Sequence, residues 1–162
     1  MKDQNLKLFN IIDFYYNYDD VLISYIKGHL FLEFAMNIIY SKATDKDISE
    51  YSFYEKTNLL FDKNLITKNE KKLLLNINRY RNKIAHQLDY TLLFDQIFDL
   101  LLLSIKAGVD YSDDNIYKNK LTSFKEYGID GIINELFPNT FCHLIDNNKT
   151  LFTQDEISKL ML

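Results

Sequence analysis

The run Asn78-Arg79-Tyr80-Arg81-Asn82-Lys83-Ile84-Ala85-His86 sets two guanidiniums, an ammonium, two amides and an imidazole side by side with no acid among them. An imidazole exchanges protons near neutral pH. A guanidinium stays charged and grips phosphate or carboxylate with two parallel N–H bonds. Together they are the groups that phosphoryl chemistry needs: a proton acceptor, a proton donor and a cation beside the oxygens on which charge develops. On a helix at 100° per residue, Arg79, Asn82 and His86 fall within about 60° of one another. Arg81 lies about 140° from His86, on the stripe of Ile77 and Ile84. A guanidinium there is costly unless it is paired, or faces a cleft or a second chain. The structural alternative is an Arg snorkelling from the edge of a core and a His bonded to a carbonyl.

Charge is distributed unevenly around this run. The chain carries −4 overall, which argues against a broad nucleic-acid coat. Yet residues 63–83 hold Lys63, Lys68, Lys71, Lys72, Arg79, Arg81 and Lys83 against Glu70 alone, while the flanking segments are acidic. The stretch is either a solvated lysine-rich helix face or a phosphate-binding one. In the second case Lys68, Lys71, Lys72, Arg79 and Lys83 would bind the strand. Glu33, one turn after His29, is a candidate site wall or structural residue; a hydrogen bond or an ion pair with an arginine is the expected use of the pair. His29 and Glu33 have no third ligand in sight, so neither a metal nor another cofactor is expected. His143, beside Cys142, has no triad context.

The elements that position these residues read as helices. Four glycines and one proline leave few breakers in 162 residues, and apolar residues make up 47% of the chain, enough for one core. Capping boxes at Ser52-x-x-Glu55, Thr67-x-x-Glu70 and Thr153-x-x-Glu156 mark three helix starts. Asp19 or Asp20 caps another, running to about Ser41, in which Gly28 marks a close approach to a neighbour. The Thr67 helix carries Leu73, Leu74, Ile77, Arg81, Ile84 and Leu88 along one stripe. The segment 91–107 ends at Gly108 as the C′ residue. With a helix over 5–18 that makes five. The expected fold is all-α, an up-and-down bundle of about five helices over residues 1–108, with a mainly helical C-terminal extension, 109–162, packed on it as part of one domain. Within that extension Pro138 is expected to break the pattern, and residues 141–152 to form a small hairpin.

The lone Cys142 permits no internal disulfide, which suits a reducing compartment. The first residues lack the apolar run of a signal peptide. The segment 92–105, taken as the most apolar, is too short to span a membrane. A cytoplasmic protein without a membrane partner is expected.

The motif Arg81-Asn82-Lys83-Ile84-Ala85-His86 resembles that of the HEPN superfamily, named for its occurrence in higher eukaryotes and prokaryotes as a nucleotide-binding domain, in which Arg, usually a polar residue, and His are separated by four to six residues. Gly28-His29-Leu30-Phe31-Leu32-Glu33, Tyr51-Ser52-Phe53-Tyr54-Glu55-Lys56 and Leu73 to His86 are similar to the order of segments in the branch that includes the mannitol operon repressor. The resemblance covers roughly residues 19–107. It implies a helical bundle that forms a homodimer, with two Arg-x4-His segments facing each other across one cleft, often as a metal-independent endoribonuclease. One His per chain is too few for acid and base; two chains supply both. Arg81, Asn82 and His86 would then be catalytic and single-stranded RNA the substrate. In a subset of such toxins a Tyr two residues after the His accepts nucleotidyl groups from an antitoxin. Here that position is Leu88, and Tyr90 is the nearest tyrosine downstream.

Two functions are therefore expected in competition. One is an RNA-cleaving toxin or phage-defence effector held in check by an antitoxin or regulatory protein. The other is a non-enzymatic regulator or protein-interaction module resembling the mannitol operon repressor.

Overall fold

A computed structural model describes residues 21–87 and 90–161. The expected helix over 5–18, the cap at Asp19 or Asp20, and Leu88 lie outside the described residues. Those described are all-helical: α1 Val21–Thr44, α2 Phe53–Asp62, α3 Lys68–His86, α4 Phe94–Ala107, α5 Asn115–Lys118, α6 Lys120–Glu126, α7 Gly128–Asn147, a 3₁₀ turn Lys149–Leu151 and α8 Gln154–Met161.

Local chemistry sets most of the boundaries. Ser52 and Thr67 each accept from the backbone N–H three residues on, and Glu55 and Glu70 each accept from the cap's own N–H, so both capping boxes close as read. Thr153 and Glu156 make the same reciprocal pair before α8. Gly108 ends α4 at φ 94°, a left-handed conformation that a side chain disfavours.

Helices α1, α3, α4 and α7 close a ring of contacts, in which α7 packs along α1 and against α4, α3 packs against α4 and α1, and α2 fills the corner between α1 and α3. Tyr25, Leu32, Met36, Ile77, Leu101, Phe137 and Phe141 meet in the middle, all but excluded from water. The hand-off between α1 and α7 is tight. A Cβ on Gly28 would lie 2.2 Å from Phe137 Cγ, so only glycine admits the ring there. Tyr25 meets the same ring edge-on at 5.1 Å and donates its hydroxyl to the Ile77 carbonyl at 2.9 Å, which joins three helices at one point.

Two expectations for the C-terminal third are corrected. Residues 141–152 form no hairpin; they continue α7 to Asn147 and then turn through the 3₁₀ segment. Pro138 does not stop the helix but sits inside α7. Proline costs a helix one backbone hydrogen bond. Here the burial of Ile132, Ile133, Leu136, Phe137, Phe141, Leu144 and Ile145 along the same helix outweighs that loss. Among the described residues the helix long and apolar enough to cross a membrane is α1 rather than segment 92–105, and 56% of its apolar window is buried inside the fold.

Candidate functional site

Helix α3 carries the site candidates on two faces. Its inward stripe is Leu73, Leu74, Ile77 and Tyr80, with Ile84 half-buried at the end. Tyr80, at 6% exposure, takes the core position that the sequence pattern gives to Arg81. Arg81 is half-buried beside that stripe.

The outward face is cationic. Counting 100° per residue from Arg79, the residues Lys68, Lys72, Lys83 and His86 all fall within about 40° of it, and Lys71 and Asn82 flank them. Lys68, Lys72, Arg79, Asn82 and His86 are exposed, and Lys71 and Lys83 half-buried. From Lys68 to His86 the strip runs about 27 Å at 1.5 Å per residue. Several of its cations lie over rings: Lys71 Nζ is 4.3 Å from the Phe61 centroid, Arg79 Cζ 4.9 Å from Tyr80, and Lys83 Nζ 5.8 Å from both Tyr80 and Tyr90. None of them forms an ion pair with a carboxylate among the described residues. His86 occupies the last turn, and its side chain makes no hydrogen bond among the described residues. Gln87 caps the helix, and ahead of α4 Tyr90 donates to Gln96 Oε1 at 2.8 Å and Leu92 is buried.

The opposite face is a packed polar cluster. His29, 2% exposed, lies against the Phe53 ring at 4.1 Å between centroids, and its Nε2 is 3.1 Å from Asn78 Oδ1. Burial pulls its pKa down to about 4; the charges of Arg81 and Lys56 push the same way, while the Asn78 bond and Glu33 oppose. His29 is thus neutral at pH 7, with Nδ1 buried and without a partner among the described residues. Glu33 pairs not with an arginine but with Lys56, at 2.6 Å, and Lys56, 1% exposed, also donates to the Ser49 carbonyl at 3.0 Å. Arg81 donates from Nη1 to Asn82 Oδ1 at 3.3 Å.

One chain therefore brings Arg81 and Asn82 together and leaves His86 about 140° around the same helix from Arg81. The chain matches no family model, no curated protein and no solved structure. Geometry and chemistry alone carry the functional reading.

Residues that sequence reasoning missed are mostly buried polar ones. Lys56 sits among Phe53, Thr57 and Leu60, all buried at helical spacing, and that spacing was the available signal for a buried lysine. The Asn78 partnership with His29 had no local signal. Nor did a third cluster at the start of α3, where Glu70 receives hydrogen bonds from Asn147 Nδ2 at 2.8 Å and His143 Nε2 at 3.0 Å. Burial by itself would raise the Glu70 carboxyl; these donors and those of Thr67 outweigh it and hold the group below the ordinary glutamate value. His143, without a role in the sequence reading, ties the end of α7 to the first turn of α3. Among the described residues no three His, Cys, Asp or Glu side chains gather as a metal-ligand set.

Proposed function

We propose that this chain is a HEPN-type, metal-independent endoribonuclease: a cytoplasmic toxin or phage-defence effector that works as a homodimer on single-stranded RNA and is held in check by an antitoxin or regulatory protein. In this reading its core is an up-and-down bundle of about five helices, extended by residues 109–162. The observation that carries the reading is the cationic strip of α3, which ends in an exposed, unbonded His86. Exposed cations without carboxylate partners suit phosphates, and an imidazole at the end of their line suits proton transfer on the strand they hold.

The separation of Arg81 from His86 within one chain fits a site completed by a second copy. His86 of one protomer would take the proton from the 2′-hydroxyl, whose oxygen attacks phosphorus. The imidazolium of the partner's His86 would protonate the departing 5′ oxygen. Arg81, steadied by Asn82, would neutralise the charge growing on the non-bridging oxygens. The products are a 2′,3′-cyclic phosphate and a 5′-hydroxyl.

Purified protein should cut single-stranded RNA in excess EDTA and leave the cyclic phosphate. His86→Ala and Arg81→Ala should each lower the rate by about two to four powers of ten, a loss of roughly 3–5 kcal/mol of transition-state stabilisation. The double variant should be little worse than either single one. Sedimentation should give a dimer. Wild-type cutting by a folded His86→Ala protein would overturn the proposal.

A second reading draws on Arg81 itself, which lies beside buried His29 and bonds to its neighbour Asn82. Such an arginine is already accounted for structurally, as in a non-enzymatic regulator or protein-interaction module. A verified dimer, freed of any partner, that cuts no RNA would favour it.

A further inference from the structure

Helices α3 and α4 enclose a groove of about 260 Å³, lined by Asn76, Arg79 and Tyr80 from one side and Asp99, Leu102 and Lys106 from the other. Offsets of three, four and seven residues put each set on one helix face, so the lining follows from the packing of the two helices. Its volume lies just below the usual range of ligand pockets, about 300–1,000 Å³, which leaves room for one nucleotide rather than a folded peptide. Leu100, Leu102 and Leu103 add an apolar wall to the charged and polar lining residues. Arg79 is already held in place, its Nη2 donating to the Tyr80 hydroxyl at 3.2 Å and its guanidinium lying over the Tyr80 ring. Asn76 commits its amide N–H to the Lys72 carbonyl at 2.8 Å.

The charges of the groove are unspent. Arg79, Asp99 and Lys106 are all exposed, and none forms an ion pair with another or with any described residue. Two cations and one carboxylate that share a groove without pairing are placed to bind a ligand carrying both an anion and a hydrogen-bond donor. A nucleotide bearing an exocyclic amino group has both. Its phosphate suits Arg79 and Lys106, its base suits the leucine wall, and its amino group suits Asp99, since carboxylates accept from the cytosine N4 amino group. Uracil offers a carbonyl oxygen in the same place and meets the carboxylate unfavourably. Arg79 and His86 share a face of α3 and stand about 10 Å apart along its axis, so the groove lies within reach of a neighbouring nucleotide on the same strand.

We propose that the groove between α3 and α4 holds one amino-bearing nucleotide of a single-stranded RNA, next to the position of His86, and so gives the strand its base preference. The inference rests on the RNA-binding part of the function proposed above. It is separable from cleavage. Fluorescence anisotropy with uncleavable 2′-O-methyl oligonucleotides should show oligocytidine binding at least about fivefold more tightly than oligouridine, the factor for roughly 1 kcal/mol of discrimination. Asp99→Asn should abolish that preference, because an amide can turn either its oxygen or its nitrogen to the base. Lys106→Ala should flatten the plot of log K against log salt by about 0.7, the value for one phosphate contact on a single strand. Asp99 and Lys106 are exposed, so unchanged unfolding midpoints should accompany both substitutions. Equal binding of the two oligonucleotides, an unaltered salt slope in Lys106→Ala, or displacement of RNA by polyglutamate at equal charge would overturn the proposal. Base preference without cleavage of any RNA would sink the ribonuclease reading alone. Cleavage without preference, and with an unaltered slope, would sink the groove alone.

Discussion

The two faces of α3 use the same kinds of side chain for opposite ends. On the inner side the polar groups of His29, Asn78, Glu33 and Lys56 are buried or nearly so, and most of their atoms are satisfied by one another. On the outer side Lys68, Lys72, Arg79 and His86 stand in water with no carboxylate partner among the described residues. Residue type alone does not separate a structural cation from a binding one; burial and pairing do. A lysine excluded from water must keep its partner, because a lone buried charge is very costly. An exposed lysine keeps its charge free for a ligand and contributes little to the fold.

Breaking the inner cluster should have the largest effect on stability. Lys56→Ala strands Glu33 and removes the packed methylenes, so unfolding in urea should show a loss of about 3–5 kcal/mol, nearer the lower end because Glu33 is 24% exposed. Replacing both partners, Lys56→Met with Glu33→Leu, should recover most of it. Recovery would show that pairing, rather than the charge itself, is what the fold requires.

Acid probes the same cluster more gently. The folded pKa of His29, about 4, lies below the ordinary histidine value, so folding favours its neutral form. That contribution is complete above about pH 6.5 and falls away as the pH drops from there toward 4, for a loss of about 3 kcal/mol. Glu70, whose pKa is depressed, adds a second loss at lower pH, below the ordinary glutamate value. Urea midpoints followed from pH 7 to 4 should show the first loss in the wild type and much less of it in His29→Gln. A profile that is the same in both would contradict the buried, neutral histidine.

The smallest effect on stability belongs to the outer face. Lys68→Ala and Lys72→Ala should each leave stability within about 0.5 kcal/mol of wild type, while weakening RNA binding modestly and flattening its salt dependence. A stability loss as large as that of Lys56→Ala would erase the contrast between the faces.

What the sequence made legible was local. The Thr67-Glu70 box, the Ser52-Glu55 box and the Gly108 terminus depend on residues within one turn, and each closes as read. The cationic strip was legible too, since helical spacing fixes which lysines share a face. The errors arose where distant packing overrode a local rule. Pro138 reads as a stop, yet the flanking run of buried residues keeps α7 continuous. Arg81 takes a stripe position by spacing alone, but Tyr80 can reach the core and lay its ring beneath Arg79 and Lys83. The partners of His29 and Glu33, and the Asn147 and His143 donors to Glu70, come from other helices, and no spacing rule within one helix could name them.

The fit of Phe137 against Gly28 has a consequence for how the chain is made. More than a hundred residues separate the two, so at a synthesis rate of about 5–20 residues per second, α1 waits roughly 5–20 s for the helix that covers it. During that interval the glycine notch and the apolar surface around it are on show to every other nascent chain and chaperone in the cell. The protein's most exacting contact is thus one that no early, local folding of α1 can supply.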